Sequence, residues 1–312
     1  MQNVLIAGAG GFIGTHVTRE AARFGGQLTL VSHRRRPPVP LGGRASTRVV
    51  RMNLAEPDSV RGLCDGVDAV LHCASRIGGS AEANEAVNAR GTAALVAEAQ
   101  RAGVPRIVYL STASVYGRGV FRNALPEHLP RRPLSHTSRT RAEAEDAVLD
   151  AGGIVVRPHL VLGPGDAWVR PALRRLLGAL HGTPAGWDAR LSVIAVAELA
   201  ELIVALGRAP REQLSSSVYH AAYPQPVTAG ELLRSVATRA ALPPTGRTVD
   251  PAQARALLAG DGTLTRVLEM LATDHWFDST PLWDDLGRSA GSGRGVDAVD
   301  MSEWDDDLPA AV

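Results

Sequence analysis

Val4-Leu5-Ile6-Ala7-Gly8-Ala9-Gly10-Gly11-Phe12-Ile13-Gly14 is the stretch that decides the fold. Its first four residues are an apolar run of strand character, and from Gly11 onward the pattern is helical. A glycine-rich turn from a strand into a helix suits a dinucleotide pyrophosphate. Gly8 permits the tight turn, Gly11 lets the backbone approach the phosphates, and Gly14 lets the helix pack closely on the strand. The helix start then offers free N–H groups and a positive dipole end to the anion. Gly8, Gly10, Gly11, Phe12, Ile13 and Gly14 are therefore the expected phosphate-loop residues.

Working outward, short apolar runs alternate with helix-period segments. Strands are expected at Val4–Ala7, Leu28–Val31, Arg48–Met52, Ala69–His72, Arg106–Ser111 and Ile154–Arg157, with helices at about Gly11–Phe24, Pro57–Cys64, Ala83–Ala102 and Ser138–Ala151. This alternation predicts an α/β fold, a Rossmann-type doubly wound parallel sheet with helices on both faces. After about residue 158 the alternation fades into a loop-rich stretch with Pro158, Gly163, Pro164, Gly165 and Pro171. Amphipathic helices follow at Ala172–His181, Val196–Leu206 and Ala229–Ala241, with one more strand at Val218–Ala221. The expected organisation is a dinucleotide-binding domain over 1–160, a smaller C-terminal substrate lobe over 161–288 that returns to the sheet, and a flexible acidic tail over 289–312 containing Trp304.

The end of the second strand discriminates between cofactors. An NAD site of this type usually places an acid there for the ribose hydroxyls. Here the run is Val31-Ser32-His33-Arg34-Arg35-Arg36, with no acid. Arginines at that place suit a 2′-phosphate, so NADP is expected ahead of NAD, with Ser32, His33 and Arg34 among its contacts.

Composition narrows the classes. The chain has 312 residues, a net charge of +1 and two cysteines, Cys64 and Cys73. Such a balance gives no field for nucleic acid or an anionic membrane, and two thiols make neither a disulfide framework nor a metal cluster. No apolar run is long enough to span a bilayer and no cleavable leader is evident, so a cytoplasmic protein is expected. The expected partner is a small-molecule substrate, with a homodimer left open. The chain contains no lysine, which excludes every mechanism that needs a lysine amine.

The Gly-x-x-Gly-x-x-Gly spacing resembles the extended short-chain dehydrogenase/reductases, the NAD-dependent epimerase/dehydratase family. Further segments match in order: Met52-Asn53-Leu54 at the family's Asp-Leu pair beside adenine, His72-Cys73-Ala74-Ser75 at its His-x-Ala-Ala strand end, and Asn88-Ala-Arg-Gly91-Thr92 at its Asn-x-x-Gly-Thr helix. Ser111-Thr112-Ala-Ser114-Val-Tyr116-Gly117 matches Ser-Ser-x-x-Val-Tyr-Gly, and Arg157-Pro158 with Gly163-Pro164-Gly165-Asp166 matches its Arg-Pro and Gly-Pro-Gly-Asp segments. The resemblance covers about residues 3–240. It implies cofactor contacts from Asn53, Leu54, Cys73, Ala74, Ser75, Asn88, Arg141 and Pro158, and places Thr112 at the catalytic Ser/Thr.

The sequence departs from the family at its Tyr-x-x-x-Lys pair. Aligning Glu145 with the family's downstream Glu puts Thr137 at the Tyr and Arg141 at the Lys. Arg141 still supplies charge, but an alcohol is several pKa units too weak an acid to replace a phenol near neutral pH. The substitute proton donors are His136, Tyr116, His159 or water. Arg190 lies one residue off the register of the arginine that contacts the diphosphate in nucleotide-sugar members, and Trp168, Trp187, Tyr219 and Tyr223 are candidates to line an apolar pocket. The resemblance thus implies an NADP-dependent oxidoreductase or epimerase-type tailoring enzyme on a small carbonyl or hydroxyl substrate, sugar or polyketide-like. Two alternatives stay open: a non-redox lyase, cyclase or isomerase on the same scaffold, and a non-catalytic NADP-binding protein.

Overall fold

The computed structural model describes residues 2–39, 44–240 and 247–289. Seven parallel strands form the main sheet: β1 Asn3–Ala7, β2 Gly26–Ser32, β3 Ala45–Arg51, β4 Ala69–His72, β5 Arg106–Leu110, β6 Ile154–Pro158 and β7 Val218–Ala221. Their order is β7-β6-β5-β4-β1-β2-β3, so the chain reverses direction of growth at β1/β4. In such sheets ligands bind at that switch point, outside the carboxyl ends of the strands.

Four helices cover the faces: α1 Phe12–Ala22, α2 Gly91–Arg101, α3 His136–Asp150 and α4 Val196–Arg208. Alternate strand residues point to opposite sides. Val4, Ile6, Leu28, Leu30, Val108 and Leu110 pack with Val17 and Ala21 of α1 and with Leu199, Leu202 and Ile203 of α4. Leu5, Ala7, Val70, Ile107, Tyr109 and Val155 pack instead with Leu95, Val96 and Ala99 of α2 and with Ala144 and Val148 of α3. Burial on both faces explains why these strands read as continuous apolar runs. Each fully buried Leu or Ile contributes about 1.5–3 kcal/mol. The edge strand β3 carries Arg48 and Arg51, charges that discourage further strand pairing there.

The first of these cores continues into the C-terminal part through Leu173, Leu176, Leu180, Trp187, Leu233 and Leu268. That part contains helices Val169–Leu180, Ala229–Arg239, Pro251–Leu258 and Gly262–Leu271. A second, four-stranded sheet joins Val227–Thr228, Arg190–Leu191, His275–Phe277 and Phe121–Ala124. The segment around His275 thus pairs with Phe121–Ala124, which lies between β5 and β6 in the chain.

Two expectations need correction. The helix expected at Pro57–Cys64 is only a short 3-10 turn, Pro57–Val60, because Arg61 turns extended at ψ 130° and Gly62, at φ +73°, completes a turn there. The helix expected at Ala83–Ala102 begins earlier, at Ala81, and carries a wide π stretch over Glu85–Arg90 before α2. The linker and acidic tail expected over 289–312, with Trp304, lie outside the described residues beyond Ser289.

The phosphate loop is fixed by close approach. Gly8 has φ +82°, and a Cβ on Gly14 would stand 2.1 Å from the Gly8 carbonyl oxygen. Gly14→Ala is therefore expected to cost about 1–3 kcal/mol by overpacking. Urea unfolding measures this directly; a midpoint equal to the wild type would show that helix and strand are not in this contact.

Candidate active site

A groove of about 660 Å³ opens at the switch point, above the ends of β1, β2 and β4. Its floor is Ala7, Gly8, Gly10 and Gly11, its β2 side is Ser32, His33, Arg34 and Arg35, and its far end is Met52, Asn53, Leu54 and Ala55. Cys73, Ala74 and Ser75 line the β4 side together with Arg76 and Ile77, and Trp168 closes another wall. The sequence-derived phosphate-loop, β2-end, Asn53-Leu54 and Cys73–Ser75 residues therefore meet in one cavity. Phe12, Ile13, Gly14, Asn88, Arg141 and Pro158 do not line it. Arg35, Arg76, Ile77 and Trp168 are among the lining residues that the sequence reading did not single out as cofactor contacts.

The β2 end carries no carboxylate. A Cβ on Gly10 would lie 2.4 Å from the Arg35 carbonyl oxygen, so the bare glycine lets the arginine-bearing loop fold over the phosphate loop. The Arg51 Nε donates to the His33 carbonyl at 3.2 Å and steadies that loop. Asn53, where the family pattern has an acid, donates to Glu56 at 2.9 Å and accepts from the Ala55 N–H at 3.1 Å.

Asn88 is buried and holds the next loop from behind. Its Oδ1 accepts from the Arg76 N–H at 2.7 Å and its Nδ2 donates to the Arg76 carbonyl at 3.0 Å and to Thr140 Oγ1 at 3.1 Å. Thr137, which the sequence reading aligns with the family's phenol, belongs to the same network. Its hydroxyl donates to Asn84 Oδ1 at 2.9 Å and accepts from the Gly78 N–H at 3.2 Å. Both hydrogen-bonding roles of this alcohol are taken by protein.

Arg141 is buried beside the ends of β4 and β5. Its Nη2 donates to the Leu110 carbonyl at 2.5 Å, while its Nε is buried without a partner. Among the described residues no carboxylate pairs with it. A buried guanidinium without a counter-charge is costly, and its cationic, unsatisfied edge suits the hydroxyls or phosphates of a dinucleotide. Burial, with the Arg141 charge adding to it, pushes the nearby His72 imidazole down to about 3. His72 Nε2 and Thr92 Oγ1 are hydrogen-bonded at 2.9 Å, which accounts for the Gly91-Thr92 pair. Cys73, whose thiol burial holds at about 12, is a neutral wall of the groove.

The remaining proton-donor candidates are dispersed. Thr112 caps the short turn Ala113–Tyr116; its Oγ1 accepts from the Ser114 N–H and donates to the Ser114 hydroxyl, both at 3.2 Å. Ser114 is exposed. Tyr116 points away from the groove and is 1% exposed. Its hydroxyl is hydrogen-bonded to His220 Nε2 at 2.6 Å and accepts from Arg157 Nη1 at 2.8 Å. Arg157 in turn donates to both oxygens of buried Glu145, at 2.9 and 2.5 Å, and Glu145 accepts from Ser111 at 2.5 Å. Burial raises the Tyr116 phenol to about 12, with the Arg157 charge opposing, so it is a poor acid. The sequence reading of Tyr116 as a donor thus gives way to a structural role, because the partners that close its network come from β6 and β7.

His136 is exposed at the first position of α3. His159 packs against His275, with ring centroids 5.4 Å apart, and has a buried Nε2 without a partner; burial lowers it to about 3. Trp187, Tyr219 and Tyr223 are core residues, leaving Trp168 as the exposed aromatic of that set. Arg190 lies over the Trp276 ring at 6.0 Å, in the second sheet and not in the groove. Among the described residues no His, Cys, Asp or Glu cluster could hold a metal, and no helix is long and apolar enough to cross a membrane.

Comparisons with known proteins agree with this fold. The model of the NAD dependent epimerase/dehydratase family matches residues 4–222. A 2-alkyl-3-oxoalkanoate reductase of Stenotrophomonas maltophilia is 28% identical, over 91% of this chain and 93% of its own length. The Bordetella bronchiseptica enzyme WbmH, solved in complex with NAD+, superposes with a TM-score of 0.67 at 22% identity, covering 80% of this chain and 86% of that one. A UDP-glucose 4-epimerase of Thermotoga maritima, solved with UDP-glucose, gives a TM-score of 0.70 at 16% identity over 93% and 94% of the two chains. Relatives of the chain are thus reductases and epimerases on a shared Rossmann-like fold.

Tyr116→Phe is expected to lower stability by about 1–3 kcal/mol, since it leaves Arg157 and His220 short of a buried partner, while leaving dinucleotide affinity unchanged. Urea unfolding and a binding titration of the same variant read the two; a loss of affinity at unchanged stability would return Tyr116 to the site.

A second expectation concerns acid. His72, His159 and His220 are each lowered from 6.5 to about 3, chiefly by burial. The unfolded chain therefore binds more protons than the folded one between those values. Stability is full above about pH 6.5 and falls steadily as the pH drops toward 3. Unfolding free energies that stay flat from neutrality to pH 4 would contradict the burial of these rings.

Proposed function

The chain belongs to the NAD dependent epimerase/dehydratase family, and from that premise we propose that it is an NADP-dependent oxidoreductase acting on a small carbonyl or hydroxyl compound. The observation that carries this reading is the groove itself: a phosphate loop facing Ser32, His33, Arg34 and Arg35, with no acid at the β2 end. The unpaired Nε of buried Arg141 supports a bound dinucleotide as well.

The cofactor supplies or accepts a hydride when bound. The protein's part is to bind and orient it, and to manage one proton. Gly8, Gly10 and Gly11 offer backbone to the pyrophosphate, and Arg34 and Arg35 take the 2′-phosphate as charge-assisted hydrogen-bond donors. Arg141 supplies fixed positive charge near the substrate oxygen and holds ribose hydroxyls. To serve a substrate oxygen, Thr112 would turn its one hydroxyl proton away from Ser114, which it donates to at 3.2 Å, and would accept from that exposed hydroxyl instead. Water would then take the proton-transfer part that the family pattern gives to a phenol. The reductase relative, similar over nearly its full length, supports a carbonyl compound of the 3-oxo-acid kind.

One observation favours a second reading. Thr137 spends its hydroxyl on Asn84 and Gly78, which leaves it no part as a phenol-type donor. A non-redox enzyme or an NADP-binding protein would have that arrangement.

Calorimetric titration is expected to give NADPH at least about tenfold tighter binding than NADH. Arg34→Gln combined with Arg35→Gln should remove most of that preference, because each charge-assisted contact contributes about 1.5–3 kcal/mol. Equal affinities in the wild type would return the assignment to NAD. Binding with no loss of reduced-nicotinamide absorbance across ketones, 3-oxo acids and keto sugars would favour the second reading.

A further inference from the structure

Trp168 and Ile77 are large apolar side chains that remain 57% and 48% exposed. Both line the dinucleotide groove, and they come from two different loops. Of the described tryptophans, only Trp168 lines it. Two exposed apolar side chains brought by separate loops to the lining of one groove are placed where its occupant can cover them.

Both loops are fixed before any ligand arrives. The Trp168 loop is tied down at its root by buried Asp166, whose carboxylate accepts from the N–H groups of Trp168, Val169 and Arg170 at 2.8, 3.0 and 2.7 Å. The same loop rests on α1: His16 Nε2 is hydrogen-bonded to the Pro164 carbonyl at 3.1 Å, and Gly165 lies against the Phe12 ring. The Ile77 loop is held on its other side by Asn88, on both polar groups of the Arg76 backbone, and by Thr137 on the Gly78 N–H. Asn84 closes it by donating to the Gly78 carbonyl at 2.8 Å.

We propose that Trp168 and Ile77 form a two-sided apolar clamp on the dinucleotide, and that Thr137, which the sequence reading aligns with the family's phenol, is the positioning residue that holds the Ile77 side of it. This rests on the reading that the groove takes NADP. A preformed clamp lowers the ordering cost of binding and slows release. It also gives Thr137 a use that requires both of its hydrogen bonds, which a proton donor could not keep. Trp168 thereby becomes an internal reporter of occupancy.

The test is a set of single variants of the full chain titrated with NADPH, read by tryptophan fluorescence and by stopped-flow release. In the wild type, binding is expected to quench tryptophan emission with energy transfer to the reduced nicotinamide. Trp168→Ala should abolish most of that signal and weaken binding about tenfold, or about 1.4 kcal/mol, through faster release; Trp168→Phe should keep the affinity. Thr137→Val should speed release severalfold and Thr137→Ser restore it. Urea midpoints confirm that each variant folds. Wild-type protein that fails to bind NADPH overturns the functional reading and the clamp with it. Wild-type binding that Trp168→Ala and Thr137→Val leave unchanged, in affinity and release, overturns the clamp alone. An unchanged affinity in Trp168→Ala together with a loss of self-association or partner contact would make Trp168 an interface residue and also overturn it.

Discussion

Everything at the ligand end of the molecule depends on one contact, the first turn of α1 against the end of β1. Gly14 and the Gly8 carbonyl approach so closely that no side chain fits between them. That contact aims the start of α1, with its unsatisfied N–H groups, into the groove. It also sets α1 where the Gly163–Asp166 loop can rest on Phe12 and His16. The phosphate loop therefore places a cofactor contact and, through a packed neighbour, the position of Trp168.

On the other side of the sheet the determining interaction is ionic. Glu145 on α3 is fully buried and is satisfied by Arg157, Ser111 and Arg131, which come from β6, the end of β5 and the loop before α3. Breaking such a pair leaves an uncompensated charge, so it fixes α3 in register against the sheet. One helical turn earlier, the same helix presents Arg141 with no carboxylate at all. The contrast separates two uses of arginine: Arg157 completes a closed network, whereas Arg141 is buried with its Nε unpartnered. Tyr116 falls on the closed side and Thr137 on the loop side, so neither is placed as a free acid.

The dinucleotide fold was legible because its signals are local. The strand runs, the glycine spacing and the arginine run at the β2 end all lie within short windows, and each window carries its own physical meaning. β4 and β7 match the expected Ala69–His72 and Val218–Ala221 because buried parallel strands are short and apolar throughout. Pro57–Cys64 failed as a helix because its turn at Arg61 and Gly62 outweighs the apolar spacing around it. The second sheet was not legible: it joins residues near 121, 190, 227 and 275, and strands of two to four residues leave no period to read.

The sequence by itself determined the fold, the place of the phosphate loop, the absence of an acid at the β2 end and the absence of lysine. Those are properties of residue identity at fixed spacing. Tertiary structure alone decided what the remaining polar residues do. Whether the hydroxyls of Thr137 and Tyr116 are free depends on partners 41 to 104 residues away in the chain. Trp168 lines the groove while Trp187 is core, a difference set by which loop reaches the ligand end of the sheet. Hydrogen-bond saturation and exposure are long-range quantities, and only the packed molecule fixes them.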